Sequence, residues 1–124
     1  AAAVTHVLHN NPAFPTVAGV DDILVLSIGD ASSKIKLNRN GCLSPASFIA
    51  AVMDGAAETT DQFLANAFGR NPDGYVRVQP NGVKKNNGTE ALAERGVKMF
   101  PFGGKRLLTE TNGEMIGKFG QRLV

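Results

Sequence analysis

One stretch narrows the folds open to this chain more than any other: Asp22-Ile23-Leu24-Val25-Leu26-Ser27-Ile28-Gly29. Large apolar residues occupy both faces of an extended strand here. Strands covered on one side only alternate apolar and polar residues, whereas a continuous apolar run marks a strand covered on both sides, as in parallel or mixed sheets. The chain reaches that strand from Ala1-Ala2-Ala3-Val4-Thr5-His6-Val7-Leu8-His9, which reads as a helix with no capping residue, followed by a loop from Asn10 to Val20. A helix feeding a doubly covered strand is one half of a larger α/β unit. The expected fold class is therefore α/β, with residues 1–124 forming the C-terminal segment of a single larger domain.

Downstream, helix and strand signals alternate. Gly29 to Ser33 reads as a turn, and Lys34 to Cys42 as a polar loop with a short extended piece at Ile35 to Leu37. Ser44-Pro45 supplies an N-cap and a first-turn proline, and the helix they open runs to about Phe68. Phe48, Ile49, Val52, Met53, Ala56, Phe63, Leu64 and Ala67 form its apolar stripe, with Asp54, Glu58 and Asp61 placed opposite. Gly69 stops it. Tyr75 to Gln79 alternates and predicts a second strand. Pro80 to Gly88 reads as a loop, Thr89 to Arg95 as a short helix closed by Gly96, and Pro101 to Gly104 as a tight turn after Val97 to Phe100. Thr111 and Glu114 make a capping box for a last helix with Met115, Ile116, Phe119 and Leu123 on its apolar side.

The 124 residues could form one small domain burying roughly two-thirds of its unfolded surface. Hydrophobic content of 43% with 19% charge is globular rather than disordered. No run approaches the ~18 apolar residues of a membrane span, and no basic-then-apolar leader precedes the first helix. The single cysteine, Cys42, fits a reducing compartment. Net charge is +2 but unevenly divided: residues 1–62 hold six acidic and three basic side chains, residues 63–124 five and ten. The basic half could meet anionic lipid or nucleic acid; a solvated surface is the simpler reading.

Ala1 to Asn10 (AAAVTHVLHN) followed by Val20 to Gly29 (VDDILVLSIG) resembles the segment after the catalytic aspartate loop of plant patatin-like lipid acyl hydrolases. Leu92 to Gly96 (LAERG), Pro101 to Gly113 (PFGGKRLLTETNG) and Gln121 to Val124 (QRLV) look like the C-terminal region of the plant subgroup with a non-standard nucleophile motif. Met53 to Phe68 and Tyr75 to Gly82 match more loosely. The resemblance implies a mixed central sheet between helices, and hydrolysis of phospholipid and galactolipid esters by a Ser–Asp dyad. It implies a glycine-rich oxyanion loop, with no metal and no cofactor. The partner it implies is membrane lipid, met as substrate by the parent enzyme, with no nucleic acid and no transmembrane segment. A cytoplasmic or peripheral-membrane place fits that reading. The chemistry needs an activated nucleophile and N–H donors aimed at the developing oxyanion.

None of that machinery maps onto this sequence. There is no G-x-S-x-G. Asp54-Gly55-Ala56 spells D-G-A, but mid-helix, where a solvated aspartate is expected rather than a dyad base. Gly29-Asp30-Ala31-Ser32-Ser33 follows a strand, yet Lys34-Ile35-Lys36-Leu37 is no helix start and the elbow geometry fails. Asn10-Asn11-Pro12 resembles a family motif one helix too late. His6 and His9 have a chelating spacing but no carboxylate or thiol nearby. Cys42 lacks a neighbouring base, and Lys105-Arg106 reads as a surface pair that could touch a lipid phosphate. The expectation is that the catalytic, cofactor and metal sets are empty in this segment. A second reading is a standalone non-catalytic α/β module that binds a partner or anionic lipid through its basic half. With neighbours of the first strand missing, the segment expressed alone is expected to aggregate or stay molten.

Overall fold

Two strands drawn from opposite sides of a long helix pair in parallel and set the frame. The computed structural model describes residues 1–9, 12–29, 41, 44–80, 88–100 and 104–124. Helix α1 is Ala2–Leu8, strand β1 Val25–Ile28, helix α2 Pro45–Ala67, strand β2 Tyr75–Val78, helix α3 Gly88–Ala93, strands β3 and β4 Arg95–Phe100 and Gly104–Thr111, and helix α4 Asn112–Gln121. β1 and β2 run parallel with Val25 opposite Tyr75 and Ser27 opposite Arg77. β3 and β4 form a separate antiparallel hairpin. The fold is mixed α/β, with helices and small sheets.

The first strand is shorter than its apolar run. Val20–Asp22 is a single 3₁₀ turn, because the Asp22 carboxylate accepts hydrogen bonds from the Ala18 and Gly19 amides at 2.8 and 3.1 Å. That fixes Asp22 outside the strand, and pairing begins only at Val25. The expected double cover is not found among the described residues. β1 is half-buried and Ile28 is 72% exposed, since β2 is its one described strand neighbour. α1 starts without a side-chain cap, as its sequence requires, and its Val4 packs with Val20, Ile23 and Val25 against Leu64, Phe68 and Tyr75.

Helix α2 opens as expected: Ser44 Oγ accepts from the Ser47 amide at 3.1 Å, and Pro45 fills the first turn. Its phase differs from the expected one. The stripe of Phe48, Ile49, Val52, Met53 and Phe63 is exposed, Phe63 by 68%, while Asp61, Leu64 and Phe68 are buried at 8%, 6% and 1%. At 3.6 residues per turn the apolar positions of α2 cover more than one face. The sheet takes the border on which Leu64 and Phe68 lie, and Asp61 comes with them. The Phe68 ring meets Tyr75 at a centroid distance of 6.0 Å.

The C-terminal third also departs from its sequence reading. α3 ends at Ala93, and Gly96 does not close it. Arg95 begins β3, and Gly96 lies buried inside that strand, where a Cβ would stand 2.5 Å from the Met115 sulfur and 3.1 Å from Leu108. A side chain there would have to displace the Met115 thioether, so glycine suits the close packing of α4 on the hairpin. β4 was not evident because Gly104 to Thr111 mixes basic and apolar residues without clean alternation. The capping box holds: Thr111 Oγ1 accepts from the Glu114 amide at 3.2 Å, and the Thr111 amide donates to Glu114 Oε2 at 2.8 Å. Those bonds draw the Glu114 carboxyl below its ordinary value. Phe119 is buried on α4, Met115 and Ile116 are half-buried, and Leu123 is exposed.

These burial differences set an order of stabilities. Phe68→Ala should cost about 3–5 kcal/mol, the usual range for a buried phenylalanine. Asp54→Asn, at an exposed position, should stay within about 0.5 kcal/mol. Urea melts of the two variants in the longer protein that contains the segment test this, and the reverse order would overturn the helix phase.

Candidate functional site

The polar residues that the fold gathers most closely are Asp61 of α2, Ser27 of β1, and Tyr75 and Arg77 of β2, with Gln79 just beyond. Strand period places Tyr75, Arg77 and Gln79 on one side of β2, and the parallel register sets Ser27 opposite Arg77. The Tyr75 hydroxyl donates to Asp61 Oδ1 at 2.5 Å. Arg77 Nε stands 3.8 Å from the same carboxylate oxygen. Arg77 Nη1 donates to Ser27 Oγ at 2.9 Å, and its Nη2 and Nε donate to Gln79 Oε1 at 2.9 and 3.2 Å. One guanidinium thus ties β1, β2 and α2 together.

The cluster borders a cleft of about 310 Å³. Phe68, Val76, Val97, Leu108 and Met115 supply its apolar wall, and Lys98 joins Asp61 and Arg77 at its polar margin. Burial first, then the hydrogen bond to Asp61 and its negative charge, push the Tyr75 hydroxyl up to about 12, while Ser27 and the Arg77 cation pull the other way. Tyr75 is a neutral donor throughout the physiological range.

The chemistry open to this arrangement is limited. Acyl transfer requires a base that can take the nucleophile's proton. Ser27 faces Arg77, a permanent donor with no lone pair to accept a proton. The cluster is a cross-link built from buried polar groups, each matched to a partner as desolvation demands. Among the described residues, no three His, Cys, Asp or Glu side chains converge as a metal set would.

Asp54 is exposed on α2, within the helix, and reaches nothing in the cluster. His6 and His9 are both exposed at the end of α1. Arg106 is exposed on β4. Asn10, Asn11, Asp30, Ser32, Ser33, Cys42 and the Lys105 side chain lie outside the described residues, as do the expected extended piece at Ile35 to Leu37 and most of the 80–88 loop. Sequence reading passed over Asp61, Tyr75 and Arg77. The spacing of Tyr75 and Arg77 puts both on one strand face, but nothing local pairs them with a carboxylate fourteen residues before Tyr75.

Because Tyr75 is the single tyrosine of the chain, absorbance at 295 nm titrates it alone. Its midpoint should lie near 12 rather than 10, and Asp61→Asn should lower it. The folded value lies above the unfolded one, so the neutral phenol's contribution to stability is full below pH ~10 and is lost as pH rises toward 12. A native midpoint near 10 would contradict the buried hydrogen bond.

No family model matches the chain. No solved structure matches it either. Curated relatives do. The chain is 54% identical over 130 residues to the "Probable inactive patatin-like protein 9" of Arabidopsis thaliana, with all of the chain and 34% of that protein covered. It is 38% identical over 143 residues to "Patatin-like protein 3" of Oryza sativa subsp. indica, again with all of the chain and 34% of that protein covered. "Patatin-like protein 6" of Arabidopsis thaliana is 36% identical over 154 residues, with all of the chain and 30% of that protein covered. The chain spans about a third of the length of these relatives. Similarity that runs through every element of the chain, from α1 to α4, and recurs in several plant proteins has one meaning: the chain belongs to the patatin-like family.

Proposed function

We propose that residues 1–124 are the C-terminal segment of a patatin-like lipid acyl hydrolase domain and contribute structure to it rather than catalytic side chains. The whole protein's reaction, on this reading, is hydrolysis of phospholipid or galactolipid esters by a Ser–Asp dyad carried elsewhere. The observation that supports it best is a pairing: likeness to patatin-like proteins over the whole chain, with no G-x-S-x-G and with the lone D-G-A, Asp54 to Ala56, inside a helix. The family's base belongs in a loop facing its nucleophile. Asp54, on an exposed helical turn, has no such partner. In the Ser27 cluster the one carboxylate, Asp61, is engaged by Tyr75 and Arg77, while Ser27 meets the Arg77 guanidinium.

A second reading has its own support. The relative at 54% identity bears a name that calls it probably inactive. The whole protein would then be a patatin-like fold that binds lipid or a partner without turnover. The two readings agree on this segment and differ only in the rest of the protein.

The segment's part is tested by assaying the 124-residue chain on a p-nitrophenyl acyl ester. No turnover above buffer is expected, because losing even one member of a hydrolytic set removes most of the rate. Turnover that is abolished by denaturation yet survives Ser32→Ala combined with Asp54→Ala would sink the proposal. The same assay on the longer protein that contains the segment separates the hydrolase from the non-catalytic reading.

A further inference from the structure

Helix α2 presents two unlike halves. One packs through Leu64 and Phe68 on the core and carries every charge of the helix: Asp54, Glu58 and Asp61. The other, traced at about 100° per residue, holds Phe48, Ile49, Val52, Met53 and Phe63 with small or uncharged residues between them, and contains no charged side chain. All five large residues are exposed, by 54–68%. Large apolar side chains exposed together on one helix face are a feature of interaction sites. A helix of 23 residues that is apolar on the side away from its own sheet is built to lie between two layers.

The occupant follows from charge and length. α2 bears three carboxylates and no Lys or Arg. Interfacial helices that settle on anionic lipid have cations along their polar face, so such a surface is disfavoured here. The matched stretch makes up 34% of the relative most similar among those described, leaving about twice as much patatin-like chain to supply a covering layer. β1, too, has one strand neighbour among the described residues. We propose that the outer half of α2 is a docking face, and that its occupant is the patatin-like portion that the relatives carry outside the matched stretch. The inference rests on reading residues 1–124 as a segment of such a domain, and adds the surface by which the segment is held.

The test co-expresses the 124-residue chain with the remainder of the Arabidopsis thaliana relative, the part outside its matched 130 residues. Hydroxyl-radical footprinting of the co-purified wild-type chain, with the urea-unfolded chain as the fully reactive reference, reads the face directly. Met53 and Phe63 should become several-fold less reactive in the complex, while exposed Leu123 should not change. Val52→Glu and Phe63→Glu should each reduce co-purification about tenfold or more, the scale of losing a buried anchor, with helical circular dichroism retained; Asp54→Asn should leave it unchanged. A complex in which Met53 and Phe63 stay fully reactive overturns the docking face while leaving the segment reading intact. Failure of the two portions to co-purify overturns both. Protection of the same residues by self-association of the chain, or by anionic vesicles alone, assigns the face to another occupant and overturns the proposal. The esterase assay is independent of all four results.

Discussion

The Asp61 carboxylate fixes how the longest helix sits on the sheet. It is buried, and a buried charge is tolerated only when paired and hydrogen-bonded. Tyr75 and Arg77, two residues apart on one face of β2, meet that demand together, and Arg77 extends the tie to Ser27 on β1. Rotating α2 to bury Phe63 would gain roughly 1.5–3 kcal/mol of apolar transfer. It would withdraw Leu64 and Phe68, two side chains of similar worth, and would strip Arg77 and Tyr75 of their shared acceptor. The observed phase therefore wins on both the apolar and the polar account, and the outer stripe is left uncovered by this segment as its consequence.

Around that tie the remaining elements pack by ordinary means. α1 lays Val4 on the same cluster. The hairpin β3–β4 turns back on itself, and α4 follows at once through the Thr111 capping box. Asn112, almost wholly buried at the junction, donates to the Ala91 carbonyl at 2.9 Å and so links α4 to α3. Gly96 is the complementary feature: it is not a helix stop but a bare position in β3 against which the Met115 side chain packs.

This architecture explains why the family can be recognised here without a catalytic group in view. What α2, β1 and β2 share is a cross-link that holds secondary structure in place, and a tyrosine kept neutral next to a carboxylate. Its carboxylate is turned to the Tyr75 hydroxyl and the Arg77 guanidinium, and its serine to the same guanidinium, so these contacts bring no base to a nucleophile. A segment held together in this way can be shared by several patatin-like proteins, one of them named as probably inactive.

Much of the secondary structure was legible because its signals are local. Ser44-Pro45 and the Thr111–Glu114 pair set the starts of α2 and α4 through bonds spanning three residues, and the alternation at Tyr75 to Val78 gave β2. The apolar run from Ile23 announced a strand, and overstated its length because Asp22 was free to close a turn on the amides behind it. The hairpin was hidden for a related reason: Gly96 and Gly104 read as breakers until a packing partner and a cross-strand pairing give each a place. The sequence by itself determined where helices begin, the mixed α/β class and the absence of a recognisable nucleophile motif. Only the tertiary structure decided which side of α2 is inside. Amphipathic spacing ranks faces by hydrophobicity, whereas the choice here depended on a carboxylate finding Tyr75 fourteen residues away, a contact that no local pattern encodes.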